Sequence, residues 1–221
     1  MPSIQKQTVV LAALAATVLA LALAAGAPTG GGTTTDPVPV PTPTVTVTPA
    51  DPVPTAVILS LTGIDVVDEN GATLEAATFD NPDAGLALLS ELLGSTPEPS
   101  VNPDYGTSVW TWGGIQFGSN GDSFSWLRSE QAELGGLPLQ TAGGIHVGSS
   151  RADVEALSPF DMQYDQDGDG TSDVLGLDPE AVPGSESLTF PGHTGTAFVE
   201  ADLEGNTVAV LRSPADDFSD V

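Results

Sequence analysis

Gly144-Ile145-His146-Val147-Gly148-Ser149-Ser150-Arg151-Ala152-Asp153-Val154-Glu155-Ala156-Leu157 is the stretch on which the fold class turns. Ser150 and Asp153 stand three apart, the spacing at which a serine and a carboxylate satisfy two orphan amides of a helix start. Val154 and Leu157 then share one face, and Ser158-Pro159 closes the segment. This predicts a short helix set among strands. An earlier segment carries the same logic. Asn81 is a cap, Pro82 fits the first turn, and Asp83 sits where the helix dipole favours negative charge. Leu86, Leu89 and Leu93 form one apolar face, and Gly94 supplies the left-handed stop.

Short apolar runs punctuated by Gly and Pro surround these two helix signals and read as strands. Val57 to Leu61 is rich in β-branched residues. Ile64–Val67 and Ala72–Leu74 flank Asn70-Gly71, the strongest short hairpin signal. Tyr105 to Phe117 and Ser123 to Leu127 read as two strands, with three more at Glu186–Phe190, Thr196–Leu203 and Thr207–Arg212.

The halves share landmarks. Gly63-Ile64-Asp65-Val66 recurs as Gly144-Ile145-His146-Val147, 81 residues on, and Leu127-Arg128-Ser129 recurs as Leu211-Arg212-Ser213, 84 residues on. Each half has a capped helix between its two landmarks. The expectation is an α+β fold of two tandem repeats, residues 56–140 and 141–221, each a short helix packed on antiparallel β-hairpins.

The segment Gly-Ile-x-Val-Gly-Ser-Ser-x-Ala-Asp-Val-x-x-Leu resembles the start of the helix in β-lactamase-inhibitor-like and outer-membrane-assembly-lipoprotein-like repeats. Together with a Pro/Thr linker, Trp112-Gly113-Gly114 and an Asp-rich loop, it also resembles uncharacterised exported actinobacterial proteins. The resemblance spans about residues 56–213. It implies helices on one face of an antiparallel sheet, and protein binding as the use. The chain departs from those repeats in having no cysteine, hence neither disulfides nor a lipidation site, and no family binding residue carries over.

The charge sets the partners. Thirty carboxylates face four cationic side chains, a formal −26. Nucleic-acid affinity depends on cationic groups displacing counterions, so DNA and RNA are excluded. A carboxylate-rich surface favours divalent cations instead. Residues 1–27 read as a signal peptide or an N-terminal membrane anchor. Lys6 supplies the positive end, and Val9 to Ala25 is apolar except for Thr17, the short edge of a transmembrane helix. Contact with a membrane would run only through residues 9–25, if they are not cleaved. Residues 28–55 form a Pro/Thr-rich linker, with proline at 37, 39, 41, 43, 49, 52 and 54. Such a segment favours extended polyproline II and reaches on the order of 85 Å at ~3.1 Å per residue. The address is secreted or cell-envelope, on the outer side of the membrane.

One loop carries chemistry. In Asp165-Gln166-Asp167-Gly168-Asp169-Gly170-Thr171-Ser172-Asp173, carboxylates stand at loop positions 1, 3, 5 and 9. Thr171 offers its backbone carbonyl at position 7, and glycine at position 6 permits the tight turn. Calcium wants several hard oxygen ligands wrapped round one ion, which this spacing provides. Position 12, glutamate in an EF-hand, is Gly176, so another group such as Asp178 or water completes the shell. Trp110 and Trp112, two apart on a strand, point to one side. They are either a stacking platform for a ligand or a cover for the sheet's core face. His146 and His193 are the only histidines and belong to no metal or nucleophile motif, so no catalytic residue is assigned. Three functions stay open. The first is a non-catalytic, envelope-associated domain that binds a protein or cell-wall component and carries a structural calcium loop. The second is a calcium-stiffened structural or adhesive module, and the third a hydrolase whose site has no motif.

Overall fold

The computed structural model describes residues 51–121 and 123–218. The expectations for the leader and for linker residues 28–50 fall outside the described residues. In chain order the elements are β1 (Ala56–Leu59), β2 (Gly63–Val67), β3 (Thr73–Thr78), α1 (Pro82–Leu92), β4 (Ser100–Asn102), β5 (Thr107–Trp112), β6 (Ile115–Ser119) and β7 (Ser125–Ser129). Then follow β8 (Glu133–Leu134), β9 (Leu137–Thr141), α2 (Arg151–Glu155), β10 (Phe160–Asp161), β11 (Val174–Ala181), β12 (Thr196–Glu204) and β13 (Thr207–Asp216).

Local chemistry explains the secure turns. At Asn70-Gly71, the Asp68 carboxylate accepts the amides of Asn70 (2.8 Å) and Ala72 (2.9 Å), and Gly71 takes φ +76°, which a side chain would resist. The expected long strand from Tyr105 to Phe117 breaks into β5 and β6 at Gly113-Gly114, where Gly113 has φ +63°. Helix α1 starts as its sequence dictates, with Ala84 N–H donating to Asn81 Oδ1 at 3.3 Å. Leu88 and Leu89 are buried under it. Gly85 lets the helix approach the sheet closely: a Cβ there would lie 2.7 Å from the Phe117 ring.

Two sheets share one apolar core. The five-stranded sheet has the order β3-β2-β1-β9-β8, with β1 and β9 parallel and the remaining pairs antiparallel. The eight-stranded sheet has the order β10-β11-β12-β13-β7-β6-β5-β4 and is antiparallel throughout. Val57, Leu59, Ile64, Leu139, Phe117, Leu127, Leu177 and Leu211 all belong to the same buried cluster.

The α+β expectation, with a helix packed on the hairpins of each of two repeats, is corrected by this architecture. Among the described residues strand outweighs helix by 44% to 10%, and the two helices there hold eleven and five residues. The physical reason lies in α2. Its capping box forms, yet Val154 is the one residue it buries; Leu157 is exposed and Ser158 turns away at φ +56°. Without a second apolar turn nothing holds a longer helix to the core. The supposed markers also differ in structure, because Gly63–Val67 is a strand while residues 144–147 lie in the loop between β9 and α2. The two Leu-Arg-Ser tripeptides lie side by side, Arg212 opposite Arg128 where β13 pairs with β7. The expected transmembrane helix is corrected as well. Among the described residues no helix is long and apolar enough to cross a membrane. Val9 to Ala25, on which that expectation fell, lies outside the described residues.

Candidate functional site

The loop between β10 and β11 is shaped by its own carboxylates. Asp165 accepts the amides of Gly168 (2.7 Å) and Gly170 (2.9 Å), and both glycines have positive φ, +79° and +89°. Asp167 Oδ1 accepts the Asp169 amide at 3.0 Å. Asp169 turns to Thr171, taking its hydroxyl at 2.5 Å and its amide at 2.8 Å. Those two donors hold the Asp169 carboxyl below its ordinary value, the hydroxyl being the larger cause.

Three carboxylates converge. Asp165, Asp167 and Asp173 each offer an oxygen, and these oxygens lie within 4.8 Å of one another. Asp169 is not in the trio, and Thr171 sits exposed beside it. Asp173 differs from the others in being buried. Its Oδ2 accepts the amides of Gln166 (2.7 Å) and Asp167 (3.3 Å), while Oδ1 faces the Arg151 guanidinium at 3.5 Å. Arg151 also donates to the carbonyls of Ser172 (2.6 Å) and Gly205 (3.1 Å). As the first residue of α2 it therefore braces the loop against the β12–β13 turn. Sequence reasoning missed this brace, and its signal was slight: Arg151 is one of only three arginines.

The donor set suits a hard cation in part. Three carboxylates fall short of the ~6–8 oxygens calcium takes, so carbonyls or water supply the rest. Position 12 cannot help. Gly176 lies under the Phe198 ring, 2.6 Å from where its Cβ would stand. Asp178 falls outside the trio.

Trp110 and Trp112 are half-buried and packed against the core. The Trp110 ring tilts onto Phe117 at 6.1 Å between centroids, and Trp112 Nε1 donates to the Ser95 carbonyl at 2.7 Å, just beyond α1. His146 Nδ1 lies 3.1 Å from both Ser149 Oγ and the Gly144 carbonyl. The same Ser149 oxygen accepts the His146 amide at 3.0 Å, so this pair closes a turn.

A second group of charged residues escaped the sequence reading. Glu200 and Asp202 stand two apart on β12, and Arg212 of β13 pairs opposite Glu200, donating to Oε2 at 2.9 Å. Arg128 of β7 pairs opposite Arg212. Burial pushes Glu200 up to about 7, partly offset by Arg212 and reinforced by Asp202; burial also raises Asp202. The signal was the alternation of Glu200 and Asp202 inside an apolar strand, which an acid-rich composition conceals.

A cleft of about 550 Å³ joins the two groups. Asp167 and Asp173 of the loop line it, as do Arg128 and Asp202 of the sheet. Neither a protein-family model, nor a curated protein, nor a solved structure matches this chain.

Proposed function

We propose that the chain is a non-catalytic binding domain of the cell envelope or exterior, with a calcium ion in its Asp loop stiffening one wall of the binding cleft. The observation that carries this reading is the position of Asp167 and Asp173, which belong both to the converging carboxylates and to the cleft lining. An ion drawing these oxygens together removes the repulsion among three like charges and fixes the wall they form. The apolar N-terminal run and the Pro/Thr linker support an address outside the cytoplasm.

Calcium titration followed by thermal unfolding tests the reading. Extracellular calcium modules bind at about 10⁻⁴–10⁻³ M, so 10 mM calcium stabilises the fold by about 1–3 kcal/mol. For a domain of this size that corresponds to a rise in Tm of about 3–10 °C. Asp165→Asn combined with Asp167→Asn abolishes the rise, while magnesium at the same concentration gives a smaller one. A Tm unmoved by 10 mM calcium refutes the proposal.

A further inference from the structure

We propose that the chain cuts itself between Asp178 and Pro179, in a single scission carried out by the Asp178 carboxyl group and completed by water. The cut needs no ion in the Asp loop and is compatible with a domain that turns over no substrate.

The bond lies where β11 is strained. Among the described residues only Ser158, Gln163 and Asp178 are non-glycines with positive φ, and Asp178 takes +49°. A side chain resists that region, and a following proline crowds the residue before it and favours extended backbone there instead. Asp178 meets both penalties. The strand register shows how the fold imposes them. Leu177 pairs with Val199 and Glu180 with Ala197, so Asp178 and Pro179 together stand opposite Phe198 alone. That is a β-bulge, the place where a strand tolerates a proline. Pairing fixes both flanks, and Leu177 is locked in the buried cluster, so the strain cannot relax by sliding. Strain held in place by its surroundings points to function.

Asp178 unites this strain with a reactive pair of groups. Its carboxyl makes no hydrogen bond or ion pair to another described residue, and Asp178 and Pro179 are both exposed to water. In its acid form, one carboxyl oxygen attacks the Asp178 carbonyl carbon and closes a five-membered cyclic anhydride. The C–N bond to Pro179 breaks, and the carboxyl proton passes to the proline nitrogen, which leaves as a secondary amine. Water then opens the anhydride to two carboxyl groups. Proline has no N–H, so the competing attack of the next amide nitrogen on the side chain, which forms a succinimide, is closed. Ser158 also precedes a proline, at φ +56°, but its hydroxyl would have to close a four-membered ring. Only at Asp178 do strain, nucleophile and leaving group coincide. The two pieces stay together, because β12 still pairs with residues 174–177 and β13 with β7, so the cut shows only under denaturing conditions.

Two further Asp-Pro bonds, Asp36–Pro37 and Asp51–Pro52, lie in the Pro/Thr-rich linker and report the ordinary acid lability of this pair. Full-length protein is held at pH 5 and 37 °C, folded or in urea, and its fragments are weighed by denaturing mass spectrometry. The expected result is a fragment beginning at Pro179 that forms in the folded protein at least tenfold faster than scission at Asp36 or Asp51. In urea the preference disappears. Asp178→Gly, which accepts the backbone conformation but carries no carboxyl, is not cut there. Asp178→Glu, which would close a six-membered ring, is cut at least tenfold more slowly. Hydroxylamine intercepts the anhydride and leaves a hydroxamate on Asp178, which direct hydrolysis by a contaminating protease does not. No fragment beginning at Pro179, equal rates at the three bonds in the folded protein, continued scission in Asp178→Gly, or no hydroxamate each overturns the inference.

Discussion

Glu200→Gln should make the protein more stable at pH 8 and almost unchanged at pH 5. Glu200 is nine-tenths buried on β12 and is pushed up to about 7 from an ordinary 4.5, chiefly by burial. Between pH 4.5 and 7 the folded protein therefore holds a proton that the unfolded chain has released. Stability falls as pH rises wherever the folded state binds more protons. The stabilisation linked to this proton is complete below about 4.5, declines through the window, and is gone above about 7. At about 1.4 kcal/mol per pH unit the full shift corresponds to about 3 kcal/mol. The proton is shared with Asp202, so about 2 kcal/mol is the fair expectation for Glu200 alone. Glutamine is neutral at every pH, accepts from Arg212 through its carbonyl and donates to Asp202 through its amide. The variant should gain about 2 kcal/mol over wild type at pH 8, or about 4–8 °C in Tm. Urea unfolding of both proteins at pH 5, 6.5 and 8 measures the difference, and groups that titrate alike in the two cancel. A variant less stable than wild type at pH 8, or a difference that does not change from pH 5 to pH 8, would refute the reasoning.

Arg151→Ala leaves Asp173 buried without its cation and the Ser172 and Gly205 carbonyls without this donor. The expected loss is about 2–4 kcal/mol in urea unfolding, with faster proteolysis within residues 165–173. Gly118→Ala drives a methyl to 2.1 Å from Trp126 Cε2, and because the indole can shift the cost is about 1–3 kcal/mol, with an altered near-UV dichroism signal. Gly63→Ala should cost more, since its methyl meets the Ala77 carbonyl oxygen at 2.2 Å, where backbone pairing of β2 with β3 prevents retreat; thermal unfolding of the two variants side by side checks the order.

What the sequence shows plainly is what neighbours along the chain decide. The Asn81-Pro82-Asp83 cap, the leucine spacing of α1 and the Asn70-Gly71 turn act over a few residues, and each forms. That the Asp loop is a cluster of carboxylates was visible for the same reason, because they lie within nine residues, but that Asp165, Asp167 and Asp173 converge while Asp169 does not was not. The sheet was not, since β7 meets β13 across 84 residues, and no local pattern says that two Leu-Arg-Ser tripeptides will be partners rather than counterparts. The Arg151 brace reaches 22 residues to Asp173 and was hidden likewise. In a chain with thirty carboxylates, composition cannot separate Asp173, Glu200 and Asp202 from the rest. Burial separates Asp173 and Glu200 from most of them, Asp217 being the other buried carboxylate among the described residues, and burial is conferred by tertiary neighbours. The strand register then ties the two sites together. The Leu203 amide donates to the Asp173 carbonyl at 2.7 Å, and Val174 lies opposite Asp202, so the strand that leaves the loop is pinned beside the carboxylate across the cleft. An ion that orders Asp165, Asp167 and Asp173 thus acts on the β11–β12 pair that carries Asp202.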